Sequence, residues 1–233
     1  MLVRTPTPYP TESLFSFIIR VSEINGYETP QTILNYAGYK DGEIRSTKLS
    51  IKKLAIILNC TESDLNKISY NKYDHNNQLK IKLLNHDLGF TARDFLRSKK
   101  QIFCPECVIE NGFVEAFWDL NLAIYCPEHK SIPIETCPNC NQKIKFLRPG
   151  LLKCSCGHKL LPLKNNKYTV HISVLELMSI LKYKLENKFL IELSNTSKSI
   201  FSLVNKVPLV PSQVAITLIL NRFLLLHPPM SQE

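Results

Sequence analysis

The stretch FCPECVIENGFVEAFWDLNLAIYCPEHKSIPIETCPNCNQKIKFLRPGLLKCSCG, residues 103–157, holds seven of the chain's eight cysteines and a histidine at ligand spacing. It divides into two quartets: Cys104, Cys107, Cys126 and His129, then Cys137, Cys140, Cys154 and Cys156. A C-x2-C turn presents two sulfurs to one ion, and the longer gap lets a hairpin return the second pair. Three thiolates with an imidazole, or four thiolates, suit the closed tetrahedron of a structural zinc ion. Pro105, Pro127 and Pro138 each follow a ligand position, where a fixed φ preorganises the knuckle. A disulfide framework is the weaker reading, because no signal-peptide pattern opens the sequence and each C-x-x-C would close a very small loop. The quartets therefore predict two tandem zinc ribbons with two structural Zn2+ per chain. His158 is an alternative to Cys156, which fits better.

Working outward, the pattern is helical on both sides. After a proline-punctuated lead (Pro6, Pro8, Pro10), Thr11 is a candidate N-cap for a helix carrying Leu14, Phe17, Ile18 and Val21, stopped by Asn25-Gly26. Thr29 and Pro30 open a second helix that ends at Gly38 and buries Ile33, Leu34 and Ala37. Leu54, Ala55 and Leu58 mark a third, and a break at Asn59-Cys60 leads to Thr61-x-x-Asp64, a capping-box pattern for a fourth with Leu65 and Ile68. Two short helices joined so tightly resemble a helix-turn-helix, and equally a plain helical hairpin. Two acids, Glu62 and Asp64, at the start of the second helix disfavour its approach to phosphate. Cys60, with no partner at ligand spacing, reads as a packing residue.

Residues 70–82 read as polar and exposed. Thr91-x-x-Asp94 would cap one more short helix running into Arg97, Lys99 and Lys100, which with Lys67 are the candidate nucleic-acid contacts; the basic run is equally a solvated hinge. Alternation of Trp118, Leu120, Leu122 and Ile124 predicts a strand leading to Cys126, with Trp118 as core, and 144–153 a ribbon hairpin through Pro149-Gly150. Beyond Leu163, Val174, Leu175, Met178, Leu181 and Leu185 form one amphipathic helix, followed by a short one near 201–204 and an apolar one over 214–226 that must bury nearly all round. The fold expected is mainly α with small β, organised as an N-terminal helical module (1–100), the tandem zinc-ribbon region (101–163) and a C-terminal helical module (164–233).

Net charge is +9. Residues 1–103 hold 15 basic and 10 acidic side chains, 104–163 six of each, and 164–233 eight and four. Such an excess permits nucleic-acid contact and is also common on soluble surfaces. No phosphate-binding glycine loop, G-x-S-x-G or H-E-x-x-H is present, so the expectation is a non-enzyme, with no catalytic residues. Thiols at ligand spacing without an export signal indicate the cytoplasm, and no stretch has the length and hydropathy of a membrane span.

Two segments carry a resemblance. RTPTPYPTESLFSFIIRVSEINGY, residues 4–27, and the order C-P-x-C, acid-Gly, Trp, C-x-x-H, C-P-x-C within 103–140 are similar to the TniQ family of Tn7-like transposition proteins, which includes the TnsD target selectors. The resemblance implies a targeting adaptor. Its partners would be the AAA+ regulator TnsC, target DNA, and a Cascade-type CRISPR effector with guide RNA on which members sit, often as a homodimer. A TnsD-like direct DNA-binding selector is the alternative, although the short region after residue 163 leaves little room for a full site-reading domain.

Overall fold

Helix α1 (Leu14–Ile24) is largely buried, and its sequence explains why. Leu14, Phe17, Ile18 and Val21 are fully buried at helical spacing, and Phe15, Ser16, Ile19 and Ser22 are buried as well, so neighbours enclose the helix on nearly all sides. Gly26, with φ +71°, takes the left-handed turn after α1 that a side chain would resist. The computed structural model describes residues 4–39, 51–73, 79–84, 86–89, 96–97, 100–162 and 172–186.

The following elements match the periodicity read from the sequence. Helix α2 (Gln31–Tyr36) buries Ile33 and Leu34, with Ala37 just beyond it, and the Thr29 hydroxyl accepts from Gln31 N at 3.3 Å. Helices α3 (Ile51–Leu58) and α4 (Glu62–Ile68) pack on each other across the Asn59–Thr61 turn, as the hairpin reading required. Thr61 Oγ1 accepts from Asp64 N at 3.0 Å, so the cap forms as expected. Cys60 is half-buried against the core, where desolvation pushes its thiol up to about 11.

Three expectations are corrected. First, the segment after α4 is not an exposed polar loop: β1 (Asn71–Tyr73), β2 (Leu79–Leu83) and β3 (His86–Gly89) form a three-stranded antiparallel sheet in the order β1-β2-β3. Ile81 and Leu83 are buried, and Lys82 between them is also covered, its ammonium donating to the Asn66 carbonyl. A lysine that hides its stem and bonds a backbone oxygen disguises a strand as polar sequence. Second, residues 118–124 are not a strand. Ala116–Asp119 is a 3₁₀ turn, and Leu120, Ala123 and Tyr125 are buried while Leu122 and Ile124 are exposed. The apolar alternation there is a coincidence of spacing. Third, Thr11 does not cap α1; Ser13 occupies that position without a side-chain cap bond.

Helix α6 (Ile172–Glu186) buries Met178, Leu181 and Leu185, in keeping with its amphipathic pattern. His86 Nε2 lies 2.6 Å from the Leu185 carbonyl, which ties α6 to β3. The fold is mostly helical with little strand. Among the described residues no helix is long and apolar enough to cross a membrane. The helices expected near 91–96, at 201–204 and at 214–226 fall wholly or largely outside the described residues.

Candidate metal centres

The first quartet is assembled from a helix and a turn. Cys104 is the N-cap of α5 (Pro105–Asn111), with Pro105 at the first helical position and Cys107 one turn on; Gly112, φ +75°, ends the helix. Cys126 N donates to Ser131 O at 2.9 Å, closing the knuckle that carries His129. His129 Nδ1 then lies 3.6 Å from Cys104 Sγ, 3.3 Å from Cys107 Sγ and 3.5 Å from Cys126 Sγ, and the Cys107 and Cys126 sulfurs are 3.5 Å apart. Around one zinc ion at ordinary bond lengths, tetrahedral geometry places S and N about 3.6 Å apart and two sulfurs about 3.8 Å apart.

The second quartet repeats the arrangement in two turns. Asn141 N and Gly157 N donate back to the carbonyls of Cys137 and Cys154, each at 2.9 Å. Cys137 and Cys156 sulfurs are 3.8 Å apart, as are those of Cys140 and Cys154. In each quartet all four candidate ligand atoms lie within 4.8 Å of one another. His158 is exposed, and its carbonyl accepts from Cys154 N, so the cysteine reading of the fourth position fits this geometry.

One sulfur of each quartet is favoured as thiolate, while neighbouring sulfurs and burial raise Cys107, Cys126, Cys140 and Cys154. Hydrogen bonds from the Cys107 and then the Cys126 thiols hold Cys104 well below the usual thiol range. A backbone bond from His158 holds Cys156 down to about 6. Both quartets could hold a metal ion, and their soft, fully protein-supplied donor sets are consistent with zinc.

Partners outside the quartets orient the ligands. His129 Nε2 lies 2.9 Å from Glu110 Oε1, three residues beyond Cys107 on α5. Donating there fixes the tautomer with its lone pair on Nδ1, toward the sulfurs. The sequence reading did not single out Glu110, although C-x2-C-x2-E at helical spacing carries the signal. Glu128, inside the second knuckle, accepts from Lys182 Nζ at 2.5 Å, and the same ammonium bonds Glu115 Oε2 at 2.9 Å. Burial pushes the Glu115 carboxyl up, and Lys182 opposes that shift.

Three of the four candidate nucleic-acid residues lie among the described residues, and each has a partner of its own. Lys67 pairs with Asp64 at 2.7 Å, Lys100 pairs with Glu135, and Arg97 Nη2 donates to the Ala123 carbonyl at 2.9 Å and Asn121 at 3.2 Å. Lys99 lies outside the described residues.

The lead and the first quartet interlock. Ser13 N donates to Val114 O at 3.0 Å, Ala116 N to Thr11 O at 2.8 Å, and Val114 N to Ser16 Oγ at 2.8 Å. Glu12, fully buried, accepts from Arg20 Nη2 at 2.7 Å and Nε at 3.0 Å, while the Arg20 guanidinium lies 4.6 Å from the centre of the Tyr9 ring. Glu23 of α1 reaches further, accepting from Leu151 N at 3.1 Å beside the second quartet. Arg148 below it is buried, donates to the Leu151 carbonyl at 2.7 Å and stacks on Phe103; burial lowers its guanidinium to about 9.

The two segments that carried the resemblance are thus one physical unit. No curated protein matches the chain. The family model described as TniQ matches residues 3–131, which spans the lead, the α1–α4 and sheet region and the whole first quartet. This chain belongs to the TniQ family and is a transposition-associated protein.

Proposed function

We propose that the protein is a targeting adaptor, linking a Cascade-type, RNA-guided recognition complex to the AAA+ regulator TnsC and so to the transposase. It holds two structural Zn2+ per chain, one in each quartet, and performs no chemistry itself. Closed thiol-rich centres leave no open position for a reacting water. When guide RNA reads the target by base pairing, an adaptor needs rigid docking surfaces and no base code.

The observation that carries this reading is the α3–α4 pair. Its second helix presents Glu62 and Asp64 in the first turn, and Lys67 is spent on Asp64. Such a helix suits protein contact better than a major groove lined by phosphate. The helix-turn-helix-like geometry itself favours the second reading, a TnsD-like selector that binds its site directly.

One experiment separates them. Tagged protein is used to capture its neighbouring gene products, alongside gel shifts on candidate target sites across a salt series. The adaptor reading expects stable recovery of effector and TnsC with no site preference by the protein alone. Nanomolar, site-specific binding without the effector overturns it and supports the selector.

A further inference from the structure

The balanced charge of the cysteine-rich region conceals a division between its two halves. Residues 104–136 carry six carboxylates (Glu106, Glu110, Glu115, Asp119, Glu128 and Glu135) and one lysine, Lys130. Residues 137–162 carry no carboxylate at all, with four lysines and Arg148. Arg148 is buried, bonded to Leu151 and Gln101, so the four lysines set the surface charge.

Lys143, Lys145, Lys153 and Lys159 are all exposed, and none forms a salt bridge within the described residues. Lys143 and Lys145 flank Ile144, and the burial of Ile144 and Phe146 turns both lysines outward by alternation. Lys153 stands directly opposite Lys159 in an antiparallel bridge. Like charges so placed repel. A carboxylate at either position would relieve that repulsion, and the sequence supplies none. The acids that feel these lysines belong to other elements and have nearer partners: Glu23, near Lys153, is bonded to Leu151 N, and Glu135, near Lys143, pairs with Lys100. A divalent ion with four thiolates would add a charge of about −2 beneath this surface, which the lysines outweigh.

We infer that the exposed face of the second cysteine cluster contacts the phosphate backbone of duplex DNA without sequence preference. Ammonium groups on flexible stems meet phosphates as point charges, and the segment exposes no arginine fork that would read guanine. An acidic protein is a poorer fit: lysine is depleted at protein interfaces, and residues 137–162 expose a single large apolar side chain, Leu161, too little for an interface core. Membership of a transposition-associated family selects DNA among polyanions. The inference adds a contact to the adaptor reading and does not require it, because this surface acts in the isolated chain.

The test uses the full metal-loaded chain and a random-sequence duplex, with affinity measured by fluorescence anisotropy over about 50–300 mM salt. Replacing Lys143, Lys145, Lys153 and Lys159 by glutamine is expected to flatten the slope of log K against log salt. The expected change is about 0.9 for each phosphate that is no longer neutralised, or about 3–4 in total. Arginine at all four positions restores the slope, and Lys52→Gln, at an exposed position on α3, leaves it unchanged. Should the fourfold glutamine variant lose metal, the pairs 143/145 and 153/159 are replaced separately, each expected to remove about half of the change. A metal-loaded glutamine variant with the parental slope overturns the inference. Tighter binding to an RNA hairpin or to polyglutamate than to the duplex overturns it as well. Recovery of effector and TnsC by the same variant reports on the adaptor reading independently.

Discussion

Glu110 Oε1 lies 2.9 Å from His129 Nε2, on the side of the imidazole opposite the three sulfurs of the first quartet. Replacing Glu110 by alanine should weaken metal binding at that quartet by about 10–100-fold, the usual effect of losing a carboxylate that orients a ligating histidine. Competition with a chromophoric chelator measures it, and the Cys137–Cys156 quartet in the same molecule is the internal reference. Equal loss at both quartets, or no loss, would show that the carboxylate does not orient the ligand.

Substitution at the ligands should separate the two centres completely. Cys107→Ser and Cys140→Ser are each expected to lower metal content from two ions per chain to one. A structural zinc contributes on the order of 10 kcal/mol to folding, so the affected cluster should also lose protection from proteolysis. Elemental analysis that still finds two ions in either variant would refute the ligand assignment.

Lys182 offers a pH-dependent test of how α6 is seated. Glu115 is buried and its carboxyl is held above the ordinary glutamate value, chiefly by desolvation, with Lys182 pulling the other way and Glu128 and Glu186 adding to the rise. Because the folded value exceeds the unfolded one, the native state binds the extra proton. The cost of the buried charge is absent below the unfolded pKa and grows as pH rises through the folded one. Lys182→Met removes the compensating cation, so its destabilisation should be larger at pH 7 than near pH 4.5, read from denaturation midpoints. A pH-independent difference would mean that the ammonium does not compensate Glu115.

Arg20 and Glu12 form a pair whose acid is fully enclosed. Removing the cation alone, as Arg20→Ala, leaves a buried carboxylate uncompensated and should cost about 3–5 kcal/mol. The double variant Arg20→Met/Glu12→Gln should recover a large part of that loss, and chemical denaturation of the three proteins measures both effects. No recovery in the double variant would assign the cost to lost packing of the arginine stem on Tyr9 and Phe17.

The quartets and the helices were legible because their signals are local. A C-x2-C spacing or an apolar face at 3.6-residue period states its own geometry, as in α1, α2 and α6. The sheet was missed because Lys82 interrupts Ile81 and Leu83 with a polar residue that the fold buries by tertiary contact with Asn66. The reverse error arose at 118–124, where alternation suggested a strand but Ala123 is the residue turned inward. The bonds from the lead to Val114 and Ala116, and from Lys182 to Glu115 and Glu128, span separations that no local pattern encodes. Averaging charge over 104–163 hid the contrast between the two clusters; counting it quartet by quartet reveals it.

The pairing of Thr11 and Ser13 with Ala116 and Val114 also sets the order of events during biosynthesis. A ribosome must deliver roughly a hundred further residues before the start of α1 meets Val114 and Ala116, since translation is vectorial and domains consolidate only when their contacts have emerged. Throughout that interval Tyr70 can already meet Ser13 and Phe15, but the side of α1 that the first cysteine knuckle covers stays open.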